Sequence, residues 1–187
     1  MKKSKLFITH FLVVILNVIF STLTLQAQYS DFHLVDFYGT NGSNPYGSLV
    51  SDGTYLYGMT YNGGSSDYGT IFRVNPDGTG EGNMVLMEFN GQTNGTHPYG
   101  SLLYDAESQS LYGMTSEGGN YGESGYGTIF KINPDGSGFT TLFNFSGSYL
   151  DGDTTGINPY GSLISDGTFL YGMTYGGGDN GVELFSK

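Results

Sequence analysis

The chain has 187 residues, a formal net charge of −11 and only six lysine and arginine residues. Nucleic acids and anionic membrane surfaces are bound through basic residues, so this composition argues against both as partners. The chain has no cysteine, which excludes disulfide bonds and thiol catalysis.

The first 27 residues are predicted to form a secretory signal peptide. A lysine-rich segment at residues 2–5 precedes an apolar run at residues 6–25, and residues 25–27 read Leu-Gln-Ala, a pattern typical of a cleavage site. The alternative is an uncleaved membrane anchor, because the run approaches the roughly 20 residues that span a bilayer. His10 and Asn17 interrupt the run and favour cleavage.

Cleavage would release residues 28–187 outside the cell or at the bacterial cell surface, without membrane insertion. It would remove three of the six basic residues and none of the 17 acidic ones, so the mature charge would be 3 − 17 = −14. We therefore expect an acidic exported protein whose charge favours solubility.

The rest of the chain consists of three copies of one repeat. Pro-Tyr-Gly-Ser-Leu begins at residues 45, 98 and 159, and Leu-Tyr-Gly-Met-Thr begins at residues 56, 111 and 170. A Gly-Gly pair comes next in each copy, and the first two copies continue with Gly-Thr-Ile-Phe and Asn-Pro-Asp-Gly. A fourth element centres on Phe37, Phe89 and Phe145. Such self-similarity indicates a repeat architecture.

Each element is predicted to be a short β-strand, because it is rich in aromatic and β-branched residues and is bounded by Ser-Asp-Gly-Thr or Asn-Pro-Asp-Gly turns. No segment after residue 27 has the apolar period of a helix. We predict an all-β protein, a β-propeller-like array of three four-stranded antiparallel blades. The predicted repeat domain is 28–187, with units at about 32–80, 81–138 and 139–187. In this grouping the phenylalanine-centred strand opens each unit.

Three copies also fit a β-trefoil, which is built from three four-stranded repeats, whereas propellers usually have four or more blades. The strand faces favour the propeller. Tyr55, Tyr57 and Met59 lie on one side of their strand and Leu56 lies on the other, so both sides are apolar. Such strands suit a sheet packed between two neighbouring sheets, as a blade is. The trefoil stays as the alternative.

These motifs resemble the GloVer tandem repeat of exported bacterial proteins, called choice-of-anchor proteins because their carboxy-terminal anchoring segments vary. The resemblance covers residues 32–187 and implies export, a propeller-like array and no assigned enzyme activity. The chain departs from the pattern in having fewer copies than a closed ring wants and no recognisable anchor before Lys187. It is therefore expected to be a short member, a fragment of a longer propeller, or a homo-oligomer that completes a ring.

No catalytic residue or cofactor is predicted. His33 and His97 are the two histidines after residue 27, and neither has a serine or carboxylate partner at a motif spacing. Asp52 and Asp166 share a repeat position, but both occupy Ser-Asp-Gly turns, in which an aspartate caps its own backbone. We therefore expect a non-enzymatic protein.

No metal site is predicted either. Residues 151–156 read Asp-Gly-Asp-Thr-Thr-Gly, like the start of a calcium loop, but they lack the third ligand and the distal glutamate. We expect a solvated acidic loop. Tyr46, Tyr99 and Tyr160 could form aromatic platforms for carbohydrate, although a residue found in every copy is more often needed for packing between repeats.

The predicted function is that of an exported binding or structural module, at the cell surface or secreted, with a protein or glycan partner that the sequence does not identify. The alternative is a polysaccharide-binding or glycan-processing accessory protein. Binding residues are expected where the copies differ, above all in the loops at residues 119–126 and 147–158.

Overall fold

The computed structural model describes residues 33–80, 83–147, 155–177 and 182–186. The predicted signal peptide and residues 151–153 lie outside these ranges, so the expectations for cleavage and for a calcium loop stay predictions. Within the described ranges the chain forms β-strands and turns without a helix, and none of these residues belongs to a helix that could span a membrane.

Two four-stranded antiparallel sheets follow one another along the chain. The first contains β1 (Val50–Ser51), β2 (Leu56–Thr60), β3 (Thr70–Val74) and β4 (Met84–Glu88), paired in that order. The second contains β5 (Leu103–Asp105), β6 (Ser110–Thr115), β7 (Thr128–Ile132) and β8 (Thr140–Asn144), again in chain order. The all-β class and antiparallel pairing predicted from the sequence are confirmed.

The third copy forms a smaller sheet. A two-stranded ribbon joins β9 (Gly156–Ile157) to β12 (Gly176–Gly177), whereas β10 (Ile164–Ser165), β11 (Phe169–Met173) and β13 (Val182–Ser186) form a three-stranded antiparallel sheet. The register repeats that of the other copies, since Tyr171 faces Ile164 as Tyr57 faces Val50. The second copy has a different turn at residues 106–109 and keeps the same register, since Tyr112 faces Leu103.

The sheets do not follow the unit boundaries drawn from the sequence. Met84–Glu88 falls in the predicted second unit, but it pairs with β3 and completes the first sheet. Thr140–Asn144 likewise completes the second sheet. The phenylalanine-centred strand therefore closes a sheet instead of opening one, because its hydrogen-bonding partner is the strand before it.

Two apolar clusters hold the three sheets face to face. Tyr57, Met59 and Ile71 of the first sheet pack against Leu111 and Phe130 of the second. The second cluster joins the second and third sheets and contains Tyr112, Met114, Ile129, Phe145, Leu163 and Leu170. Burying large apolar side chains in this way is the main stabilising contribution to such a stack.

The Pro-Tyr-Gly-Ser segments lie directly on one another where the sheets meet. The amide of Ser48 donates to Ser101 Oγ over 2.7 Å, and the amide of Ser101 donates to Ser162 Oγ over 2.8 Å. A Cβ atom added to Gly100 would overlap the carbonyl oxygen of Gly161. The close approach of neighbouring backbones therefore requires glycine at Gly47 and Gly100.

Candidate functional site

Four exposed tyrosines and one half-buried tyrosine form a continuous patch along the three sheets. This tyrosine surface comprises Tyr46, Tyr61, Tyr99, Tyr160 and Tyr175. Tyr46 lies 4.9 Å from Tyr99 between ring centroids, Tyr99 lies 5.3 Å from Tyr160, and Tyr160 lies 5.6 Å from Tyr175. Tyr61 sits beside the row, 5.6 Å from Tyr46 and 6.0 Å from Tyr99.

Local backbone geometry puts these rings together. The residue before each proline has a left-handed backbone, with φ of 55° at Asn44, 54° at His97 and 51° at Asn158. Residues other than glycine rarely adopt this conformation. The carbonyl oxygen of Asn44 accepts a hydrogen bond from the amide of Tyr61, and that of Asn158 accepts one from Tyr175. Each Pro-Tyr-Gly segment is thereby fixed to the end of the following Leu-Tyr-Gly-Met-Thr strand.

The exposure of these tyrosines shows that packing does not account for them fully. Tyr46 is 56% exposed, Tyr99 42% and Tyr160 39%, whereas Tyr57 in the core is 1% exposed. The rings contact one another mostly edge to face, and parts of Tyr46, Tyr99 and Tyr160 stay accessible to solvent. Tyr61, Tyr99 and Tyr160 line a shallow cavity of about 290 Å³. Exposed aromatic rings provide apolar contact area for a ligand.

A histidine and a carboxylate complete the site. His97 stacks on Tyr61 with 4.6 Å between ring centroids and meets the edge of the Tyr68 ring at 5.8 Å. Its Nδ1 atom lies 3.4 Å from Oε2 of Glu117. The chain fold thus brings His97 a carboxylate partner that no motif spacing indicates. Burial raises the pKa of the Tyr61 hydroxyl, and the negative charge of Glu117 raises it further.

Ser116 lies beside His97 and is hydrogen-bonded to its backbone. The Ser116 hydroxyl donates to the carbonyl oxygen of His97 over 2.6 Å and therefore does not contact the imidazole as a nucleophile would. The site can stack a ring-shaped ligand on its tyrosines and accept hydrogen bonds at Glu117, whose side chain is 38% exposed. A few polar groups beside apolar surfaces are typical of ligand sites.

The other sequence candidates lie away from this surface. Asp52 accepts hydrogen bonds from the amides of Thr54 and Tyr55, both over 2.7 Å, as the turn interpretation predicts. Asp166 does the same in the third copy. His33 Nε2 pairs with Asp36 over 3.0 Å at an exposed position. Within the described ranges, no three metal-ligating side chains of the His, Cys, Asp or Glu type come together.

Three residues of the site are predicted from the sequence, and the others are not. Tyr46, Tyr99 and Tyr160 follow from the repeat. Tyr61 and Tyr175 follow a repeated threonine in two of the three copies, which is the one signal that could have found them. The loop at residues 119–126, expected to carry function, contributes the exposed Tyr121, whose ring packs near that of Tyr126 and is not one of the five tyrosines.

Comparison with known proteins identifies the repeat. The model of the Gloeobacter/Verrucomicrobia repeat matches residues 18–185, which is most of the chain. The chain belongs to this family. The resemblance noted in the sequence is thus confirmed, and the Gloeobacter/Verrucomicrobia repeat is the unit that builds the sheets and places a tyrosine in each Pro-Tyr-Gly segment.

A solved structure shares the fold of these repeats. A chain in the crystal structure of a nidogen/laminin complex has a TM-score of 0.50 and 22% sequence identity to this chain. The similarity covers 74% of this chain and 42% of that chain, so this protein spans less than half the length of its structural relative. At this identity the likeness concerns the fold alone. No curated protein sequence matches the chain.

Proposed function

We propose that this protein is an exported, non-enzymatic binding module, secreted or held at the cell surface, and that the tyrosine surface is its ligand-binding face. Its three sheets are the blades of a β-propeller-like array. Face-to-face packing of four-stranded antiparallel sheets in chain order supports the propeller over the trefoil. The signal-peptide pattern at residues 1–27 supports export.

The observation that carries the proposal is the row of exposed aromatic rings. Burial of each ring would remove apolar area from water, yet Tyr46 and Tyr175 remain 56% and 80% exposed. Exposed aromatic patches on soluble proteins mark interaction sites. Tyrosine is especially suited to such sites, because its ring contacts apolar groups while its hydroxyl stays hydrated.

A polysaccharide is the ligand class that the arrangement favours. The C–H face of a sugar ring packs on an aromatic face, and the rings of Tyr46, Tyr99 and Tyr160 follow one another at 4.9 and 5.3 Å. Glu117 lies beside His97, which stacks on Tyr61, and it can accept hydrogen bonds from sugar hydroxyls. A row of this kind fits an extended chain better than a single small molecule.

Binding to insoluble polysaccharides and to an array of soluble glycans tests this proposal. We expect at least one glycan to bind, and Tyr99→Ala to weaken it more than tenfold, since central aromatic residues dominate binding energy. Tyr121→Ala is the matched control, because Tyr121 is an exposed tyrosine outside the tyrosine surface. If the wild-type protein bound none of the glycans, the proposal of a polysaccharide ligand would be rejected. Equal binding by Tyr99→Ala would reject the site.

Export is tested separately by expressing the full chain in a bacterium and determining the amino-terminal sequence of the product. We expect the mature protein to begin at Gln28 and to appear outside the cytoplasm. Retention of an intact leader inside the cell would contradict the export part of the proposal and leave the ligand test unaffected.

A further inference from the structure

The two internal interfaces join the same two kinds of face. The trailing face of a sheet is the one that packs on the next sheet, and it carries Tyr57, Met59 and Ile71 in the first copy. The leading face packs on the previous sheet, and it carries Leu111 and Phe130 in the second copy. Within one chain, a trailing face therefore packs against a leading face at two interfaces.

Described apolar residues on the trailing face of the third sheet are exposed. Met59 and Met114 are 3% and 2% exposed because the next sheet covers them, whereas the equivalent Met173 is 61% exposed. Ile164 on the neighbouring strand is 66% exposed, although its equivalents Val50 and Leu103 are half-buried. Apolar residues that are exposed at positions buried or half-buried in the other copies indicate an interaction surface.

The leading face of the first sheet is open at the opposite end of the array. Leu49 is 46% exposed, whereas its equivalents Leu102 and Leu163 are 5% and 3% exposed. A cavity of about 500 Å³ remains on this side between residues 33–38 and the first sheet. The described residues therefore include exposed apolar side chains from both kinds of face that form the internal interfaces.

Residues 34–39 already occupy part of that leading face, as a strand from a preceding sheet would. They read Leu-Val-Asp-Phe-Tyr-Gly and match Leu-Met-Glu-Phe-Asn-Gly at residues 86–91. Phe37 packs on Phe72 at 5.0 Å between ring centroids, as Phe89 packs on Phe130 at 5.5 Å. In the first sheet the residues before Phe89 form β4 and pair with β3. Residues 34–36 have this sequence but form no described strand.

The third sheet offers the pairing edge that matches this segment. Its described strands are ordered β10-β11-β13, with β13 at the edge where the first sheet continues into β4. The hydrogen bonds between successive Pro-Tyr-Gly-Ser segments form a serine ladder. It runs from the first sheet to the third, because Ser48 donates to Ser101 and Ser101 donates to Ser162. A Cβ added at Gly161 would meet nothing closer than the Met173 carbonyl oxygen at 4.0 Å, so there is room for another Pro-Tyr-Gly-Ser segment.

We propose that the trailing face of the third sheet binds the leading face of the first sheet in a second copy of this chain, with residues 34–36 of that copy added to the edge of β13. The amide of Ser162 then donates to Ser48 Oγ of the second copy, which continues the ladder. Such head-to-tail contacts either close into a ring or grow into a filament. A second copy is favoured over an unrelated partner, because its leading face is of the same kind as those that pack on a trailing face at the two internal interfaces.

Light scattering after size-exclusion chromatography, with the exported protein at 1–100 µM, tests the association. We expect the wild type to form a dimer or larger assembly and both Met173→Glu and Leu49→Glu to be monomeric. Leu142→Glu is the matched control, since Leu142 is 45% exposed on β8 and lies on neither end face. Near-ultraviolet circular dichroism checks that each variant is folded.

A mixing experiment makes the test independent of any one variant. Met173→Glu keeps an intact leading face, and Leu49→Glu keeps an intact trailing face. An equimolar mixture should therefore restore one interface and give a complex of two chains, with at least tenfold tighter association than either variant alone. A monomeric wild type at 100 µM, or a mixture that stays monomeric beside an associating wild type, would overturn the proposal.

Discussion

Single aspartates organise the turns that start the central hairpins. In the first copy one carboxylate oxygen of Asp52 accepts two backbone amides, and the other accepts the hydroxyl of Tyr57 over 2.7 Å. In the third copy Asp166 accepts the hydroxyl of Tyr171 over 2.6 Å. These hydrogen bonds lower the pKa of Asp52 although burial raises it. They lower the pKa of Asp166 to about 2, with Tyr171 as the largest cause.

The turn aspartates should make the free energy of unfolding depend on pH in the acidic range. Their folded-state pKa values lie below the unfolded value of about 3.9, so their contribution is present above that pH and is lost as pH falls towards about 2. We expect the free energy of unfolding to fall over this range, and to fall less steeply in the double variant Asp52→Asn, Asp166→Asn. Urea unfolding at pH 2 to 7 measures both slopes. Identical slopes would contradict the assignment of these carboxylates.

Glycines at one repeat position should differ in importance between copies. A Cβ at Gly100 would overlap the backbone of Gly161, whereas a Cβ at Gly161 has space around it. In the Met173→Glu background, in which the proposed second copy does not cover Gly161, we expect Gly100→Ala to lower the free energy of unfolding by about 1–3 kcal/mol, the usual cost of overpacking. Gly161→Ala should change it there by less than about 0.5 kcal/mol. Equal losses measured by urea unfolding would show that the close approach is not what requires glycine.

At the scale of elements, the sequence predicts the strands but not their grouping. Aromatic and β-branched runs between Asp-Gly turns indicate the strands around Leu56, Thr70 and Leu111 correctly. The repeat has the same period wherever a unit is taken to begin, so sequence spacing cannot decide whether Met84–Glu88 pairs with the strand before it or after it. Backbone hydrogen bonding to β3 decides this, and its register shifts between Ile71 and Phe72.

Buried threonine pairs join the two central strands of each complete sheet. Thr115 Oγ1 lies 2.9 Å from Thr128 Oγ1 and accepts the Thr128 amide over 3.0 Å, with both residues fully buried. We expect Thr115→Val to cost about 1–3 kcal/mol, because it leaves buried polar groups without partners. Thr140→Val is the control on an exposed position of β8 and should be nearly neutral. A loss no larger than that of the control would contradict this role.

At the scale of the whole molecule, only part of the candidate site could be predicted from the sequence. The repeat identifies Tyr46, Tyr99 and Tyr160 as equivalent, but equivalence alone does not tell packing from exposure. His97 and Glu117 meet because the preceding residue, Thr96, forms an antiparallel backbone bridge with Glu117 just beyond the end of β6. Such tertiary geometry has no signature in residue spacing, so these two residues are visible only in the fold.

Ionic strength should reveal how the copies associate. Each mature copy carries a predicted charge of −14, so two copies repel one another, and this repulsion has a range of about 30 Å at 0.01 M salt and about 8 Å at 0.15 M. The proposed end faces present the apolar Leu49, Ile164 and Met173. We therefore expect the dissociation constant of the wild-type assembly to decrease several-fold between 10 and 500 mM NaCl, while Met173→Glu stays monomeric throughout. Light scattering at each salt concentration measures this. Weakening by salt would instead indicate attraction between charged groups and would contradict an interface built from the apolar faces.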